Sequence, residues 1–289
     1  MMRGVARSSG EAPALRRSLV LTVAGSDSGG GAGIQADLKT FQELGVYGMS
    51  VVTAVTAQNS LGVQRVEAVS PDMVEAQLES VLSDIGADAV KTGMLPQSAH
   101  VETAASSFAR HRVKRLVVDP VGAASDGSAL MDGGAFEAMK RLLLPMAEVV
   151  TPNLPEACRL LGVRSDDIRT IADMERLAKR LLSLGSRHVF LKGGHWNGEE
   201  AVDVFVSAER PEETRLFTGP RYPTLHTHGT GCTTASAIAA LLAQGALPEE
   251  ACRAAKAFVA AAISEAFSLG GGTGSLWHGA FAEKRRVLR

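Results

Sequence analysis

The chain has 289 residues, 45% hydrophobic and 21% charged, an ordinary balance for a globular protein with a sizeable core. The formal net charge is -1 and aromatics make up 4%, so neither a basic patch nor base-stacking platforms point to nucleic acid. No apolar run reaches the length of a membrane span, so no membrane partner is expected.

Cys158, Cys232 and Cys252 are odd in number and too far apart for a CxxC motif. Reduced thiols in the cytoplasm are expected, with Cys158 and Cys252 as core thiols in apolar helical patterns. Residues 1–17 carry Arg3, Arg7, Arg16 and Arg17 against one acid, Glu11, and contain no apolar h-region. They read as a basic disordered tail, with a transit peptide as the alternative. Residues 18–289 show no linker, repeat or low-complexity segment and read as one domain.

In chain order, residues 18–25 are β-branched and apolar, a buried strand. Ser26-Asp-Ser-Gly-Gly-Gly-Ala-Gly33 follows, then helical spacing over 34–44. Strands are predicted at 51–57, 88–93, 116–119, 149–150 and 188–192, with 201–206 alternating like an antiparallel edge strand. Helices are predicted at 71–82, 98–111 and 136–144, after Thr151-Pro-Asn-Leu-Pro-Glu156 through Leu161, and at 171–184, 233–244 and 249–267. Ser70 is placed as an N-cap and Pro71 in the first turn. This alternation argues for an α/β fold, a mainly parallel central sheet with helices on both faces. Polar and glycine-rich segments recur after strand ends, where such sheets bind ligands.

Several stretches carry chemistry, each open to a plainer reading. His226-Thr-His-Gly-Thr-Gly-Cys232 turns into an alanine-rich helix. Gly229, Thr230, Gly231 and Cys232 there could form an anion hole at a helix N-terminus, whose field favours a thiolate. A simple glycine turn is the alternative. Gly31-Ala-Gly33-Ile-Gln-Ala36 matches the dinucleotide fingerprint, but residues 46–60 lack the acid that would hold a ribose. This counts against an NAD-dependent oxidoreductase. Asp27 and Asp37 stand by that loop, either as ligand-holding acids or as local partners. Gln58 ends a strand, and its amide suits a heteroaromatic edge, or else a turn. Asn153 and Glu156 open a helix, either as a site for hydrated Mg²⁺ or as a capping box. Lys192 precedes Gly193-Gly194 at a strand end and could neutralise phosphate. His195, His226 and His228 lack metal spacing and read as surface or hydrogen-bonding groups.

Together, residues 24–40, Thr56-Ala-Gln-Asn59, Lys91-Thr-Gly-Met-Leu95, Asp119-Pro-Val121, Thr151-Pro-Asn-Leu-Pro-Glu156, Leu191-Lys-Gly-Gly-His195 and Thr227-His-Gly-Thr-Gly-Cys232 closely resemble the hydroxymethylpyrimidine/phosphomethylpyrimidine kinases of thiamine biosynthesis. The resemblance spans about residues 19–268 and implies a ribokinase-like αβα sandwich. It implies ATP-dependent phosphorylation of 4-amino-5-hydroxymethyl-2-methylpyrimidine to the monophosphate and then the diphosphate, with Mg²⁺ as cofactor. Pyridoxal or pyridoxine kinase activity on the same fold is the alternative. By this resemblance Gln58, Ala32, Asp37, Thr56, Met94 and Val121 line the substrate pocket, position 56 commonly being valine in the family. Lys192, Asn153 and Glu156 serve ATP, Glu156 meeting the metal through water. Gly229, Thr230, Gly231 and Cys232 form the catalytic anion hole, with Cys232 as general base for the first step. A homodimer is implied as well. One departure stands out: Ser125 occupies a position where the family commonly has lysine, which bears on the second phosphorylation.

Overall fold

The structure, a computed structural model, describes residues 16–122, 130–194, 196, 198–281 and 283. Ser125, His195 and most of the N-terminal tail lie outside the described residues.

The chain starts in the middle of the sheet. β1 (Leu19–Asp27) leads into α1 (Gly33–Glu43) and β2 (Tyr47–Asn59), which pairs parallel to β1. β3 (Gly62–Ala68) folds back antiparallel on β2 and forms one edge. After α2 (Pro71–Asp84) the chain crosses to the other side of β1. It then lays down β4 (Ala89–Thr92), α3 (Ser98–Arg110), β5 (Leu116–Val118), α4 (Gly133–Leu142), β6 (Val149–Val150), α5 (Leu154–Leu161), α6 (Ile171–Leu181) and β7 (His188–Leu191). β8 (Glu200–Ser207) and β9 (Arg210–Pro220) extend the sheet antiparallel, before α7 (Thr230–Ala243) and α8 (Pro248–Ser264). The nine-stranded order among the described residues is β3-β2-β1-β4-β5-β6-β7-β8-β9. The chain leaves β1 first toward β2 and later toward β4, so a topological switch point lies between β1 and β4.

Every residue of β4, β5, β6 and β7 is buried, as strands covered on both faces must be. Successive residues serve opposite cores. Leu116 and Val118 join α2–α6, while Val117 faces α1, α7 and α8. Ser70 caps α2 through the Met73 N–H, as its sequence position suggests. α7 is buried nearly all round, and its small residues let it lie close against the sheet.

Three expectations need correction. Residues 62–68 and 210–220 are strands that the sequence pattern left unmarked, because both are polar and largely exposed. β8 is therefore not an edge strand; β9 covers its outer side. α7 starts at Thr230 rather than 233, because Gly229 takes a left-handed φ of 87° and opens the helix there. Among the described residues, no helix is long and apolar enough to cross a membrane.

Candidate active site

A cavity of about 530 Å³ opens at the carboxyl ends of the strands beside the switch point. That volume suits a small molecule with its cosubstrate. Its walls come from the end of β1, the end of β2, the loops after β4, β5, β6 and β7, and the start of α7. Of the residues singled out from sequence, Ala32, Thr56, Gln58, Met94 and Val121 line it, as do Asn153, Glu156, Lys192, Gly229, Thr230, Gly231 and Cys232.

Asp37 does not line the cavity. It is fully buried behind the wall, where Lys91 donates to both oxygens at 3.0 and 2.8 Å. Thr22 and Ser236 hydroxyls complete its shell at 2.6 and 2.5 Å. The physical reason is the register of α1: Asp37 sits on the helix face turned to the sheet, opposite a lysine in the middle of β4. A carboxylate and an ammonium taken out of water together require this pairing.

At the base of the cavity, two glycine loops meet. A Cβ on Gly229 would stand 1.8 Å from the Gly31 carbonyl, so only glycine fits there. The first intrahelical bond of α7 runs from Thr233 N–H to Gly229 O, and Thr230 N–H turns to Thr227 O. The N–H groups of Gly231 and Cys232 therefore precede the helix ladder, at the positive end of the dipole.

Beside them lies a charged cluster. Lys192 Nζ donates to Asp119 Oδ1 at 2.9 Å, and the same oxygen takes the Thr151 hydroxyl at 2.9 Å. A Cβ on Gly231 would be 3.3 Å from Lys192 Nζ, so the ammonium borders the helix N-terminus. Burial alone would lower Lys192, but the Asp119 and Glu156 carboxylates outweigh it and keep it firmly cationic. Asp119 was missed as a site residue. Its signals were a place at a strand end and in the Asp119-Pro-Val121 motif, and its partners come from two other loops.

Asn153 and Glu156 form a capping box at α5: Asn153 Oδ1 accepts the Glu156 N–H and Glu156 Oε2 accepts the Asn153 N–H. The capping reading thus holds, and both residues still face the cavity. Burial pushes the Glu156 carboxyl up to about 7; Lys192 pulls it back and Asp119 adds to the rise.

Cys232 differs from its expectation. Burial drives the thiol up to about 11; Lys91 offsets part of this, and Asp37 and Asp119 reinforce it. The helix field alone does not make a thiolate here, because the thiol is buried and two carboxylates stand nearby. Asp27 is the other residue whose role the sequence left open. It accepts the N–H groups of Gly29, Gly31 and Ala32 at 2.8, 3.0 and 2.8 Å and meets His228 Nε2 at 3.0 Å. Burial would raise its carboxyl, but these bonds, His228 foremost, hold it below the usual range. His228, read from sequence as a generic hydrogen-bonding group, thus lines the cavity beside Gln58. His226 remains outside, its Nδ1 accepting the Gly274 N–H.

The described residues hold no cluster of three or more metal-ligating side chains. Glu156 and Asp119 supply two carboxylates in one cavity. That donor set fits an ion that keeps most of its water and takes its remaining oxygens from phosphate.

A family model described as phosphomethylpyrimidine kinase matches residues 27–277. A hydroxymethylpyrimidine/phosphomethylpyrimidine kinase of Streptomyces coelicolor is 51% identical over 92% of this chain and 96% of its own length. The enzyme of that name from Escherichia coli is 41% identical over 91% of this chain and 98% of its own length. Among solved structures, a Bacillus subtilis pyridoxal kinase bound to ADP superposes with a TM-score of 0.85 at 40% identity, over 93% of this chain and all of the other. A phosphomethylpyrimidine kinase of Clostridium difficile gives 0.75 at 40% identity, over 86% of this chain and all of the other.

Proposed function

Because this chain belongs to the phosphomethylpyrimidine kinase family, we propose that it uses ATP to phosphorylate 4-amino-5-hydroxymethyl-2-methylpyrimidine, and then the monophosphate, for thiamine biosynthesis. The observation that carries this reading is a single cavity with a lysine and a helix N-terminus at one place and the Gln58 amide at another. Lys192 and the open N–H groups of Gly231 and Cys232 converge where a phosphoryl group would move. Gln58, with Ala32, Thr56, Met94 and Val121, lines the part that would take the ring.

Phosphoryl transfer needs positioning and charge neutralisation more than covalent chemistry. Lys192 provides a fixed cation, itself held by Asp119. Gly231 and Cys232 direct backbone N–H groups at the developing charge. Glu156, and Asp119 beside it, would hold Mg²⁺ largely through water, and the ion would neutralise phosphate charge. Cys232 lies next to the moving group and takes the hydroxyl proton in the first step. The second step starts from an ionised phosphate and needs no such acceptor. An ATP-consuming enzyme with reduced thiols belongs in the cytoplasm, and a homodimer is expected from the family.

The test is a mass-spectrometric assay of purified protein with Mg-ATP and, separately, hydroxymethylpyrimidine, its monophosphate and pyridoxal. Monophosphate and diphosphate should form in turn. Formation of monophosphate alone would confine the activity to the first step, as the loss of a lysine at Ser125 could cause. Turnover of pyridoxal only would overturn the substrate reading.

A further inference from the structure

Gln58, His228, Asp27 and Thr56 form one chain of polar contacts along the cavity wall. As placed, Gln58 turns its Nε2 to His228 Nε2 and its Oε1 to Thr56 Oγ1, each at 3.3 Å. The amide has a donor end and an acceptor end, and a half-turn about its last bond exchanges them. Which end faces which neighbour decides what the amide offers to a ligand.

Both neighbours fix the answer, and they agree. Asp27 is an ionised acceptor, so a His228 Nε2 only 3.0 Å from its Oδ2 must carry a proton. That single proton goes to Asp27, the nearer partner; an amide NH2 beside it would set N–H against N–H, whereas Oε1 can share the proton, so Oε1 is the end that fits. At the other end, the Thr56 hydroxyl spends its one proton on the Ser26 carbonyl at 2.9 Å. Its oxygen can only accept from Gln58, which means Nε2. The opposite sense would set donor against donor at one end, and at the other two acceptors sharing no proton. The His228 ring is itself held in place from behind. A Cβ on Gly31 would come 2.5 Å from its Cδ2, so the glycine leaves room for the ring to reach Asp27.

We propose that His228 is a positioning residue. Held by Asp27, it fixes the Gln58 amide with Oε1 toward His228 and Nε2 toward Thr56, and so sets both the identity and the facing of the ring. This inference rests on Gln58 reading the pyrimidine. The remaining Nε2–H and the remaining Oε1 lone pair offer a donor beside an acceptor. Their complement is a ring nitrogen next to an exocyclic amine, the edge of a 4-aminopyrimidine. A pyridoxal ring lacks it, having a methyl-bearing carbon between its nitrogen and its hydroxyl. Facing follows from the same polarity. The amine pairs with Oε1, on the side of His228 and hence of Gly229 and α7. The hydroxymethyl group is on the next ring carbon, so it is turned toward Gly231 and Cys232. A reversed amide would demand a reversed ring and carry the hydroxymethyl group away from the anion site.

Two measurements test this. In the intact enzyme labelled with ¹⁵N-histidine, long-range ¹H–¹⁵N correlation should show His228 protonated at Nε2, the signal being assigned by its loss in His228→Gln. A neutral ring protonated at Nδ1 alone would overturn the proposal, whatever the enzyme phosphorylates. The second is discrimination, the ratio of kcat/KM for hydroxymethylpyrimidine to that for its analogue lacking the 4-amino group. It should fall about tenfold in His228→Leu, the loss of roughly one oriented hydrogen bond. His228→Gln, which keeps an N–H donor, should recover most of it. Equal losses on both compounds, or no recovery in His228→Gln, would reduce His228 to a packing role. Wild-type enzyme inert toward hydroxymethylpyrimidine would instead defeat the proposed function, and the protonation result would stand apart from it.

Discussion

At the scale of single residues, the chemistry of the site is set by neighbours more than by residue type. Cys232 stands at a helix N-terminus, where a lowered thiol would be expected, yet burial and two carboxylates raise it to about 11. The thiolate fraction then grows with pH across the whole working range. The first phosphorylation should therefore accelerate as pH rises from 7 toward 10, and the second should not. Cys232→Ser should slow the first step far more than the second and flatten its pH dependence. Separate rate profiles for the two substrates would check this; equal losses would remove Cys232 from the base role. Gly31 is a second residue-scale case. Gly31→Ala should displace the His228 ring and lower substrate discrimination about as much as His228→Leu, while its ordinary φ leaves folding nearly intact. The sequence named Gln58 and Cys232, but the partners that define them, Asp27, His228, Asp119 and Lys91, are distant along the chain.

At the scale of elements, the entrance to α5 serves two purposes at once. Asn153 and Glu156 cap the helix and also face the cavity. The capping pattern was readable because it is local, three residues apart. Its electrostatic consequence was not, since it depends on Asp119 and Lys192. The Glu156 carboxyl is raised from the ordinary carboxylate range to about 7, so the folded state binds its proton more tightly than the unfolded chain. Its burial therefore costs nothing below about pH 4.5 and costs progressively more up to pH 7, above which the penalty is complete. Glu156→Gln keeps the cap acceptor and removes the charge. It should stabilise the ligand-free enzyme at pH 8 by about 1–3 kcal/mol, a rise of a few degrees in Tm, with little effect at pH 4.5. The same variant should lose roughly a hundredfold in kcat if the carboxylate serves the metal and phosphate. Thermal scans at the two pH values, alongside turnover, would separate these effects.

At the scale of the whole molecule, one buried ion pair ties the two halves of the site together. Lys91 on β4 and Asp37 on α1 are both fully buried, and Ser236 of α7 binds the same carboxylate. Removing one partner leaves a charge without a counterion. Lys91→Met should destabilise the protein by about 3–5 kcal/mol, and the double variant Lys91→Met, Asp37→Leu should recover much of that loss. Urea midpoints would measure both, and near-additive losses in the double variant would show that the pair is not coupled. Alternation of apolar strands with amphipathic helices determined the α/β class, the parallel sheet and the helices on both faces. These signals are local and periodic, so the sequence alone carries them. The motifs likewise determined the family and most of the cavity wall. The tertiary structure alone decided the strand order, the two polar strands β3 and β9, and the burial of Asp37. It alone decided how burial and neighbouring charges shift Cys232 and Glu156. Each of these depends on distance and desolvation between groups far apart in the chain, quantities that spacing along a sequence does not contain.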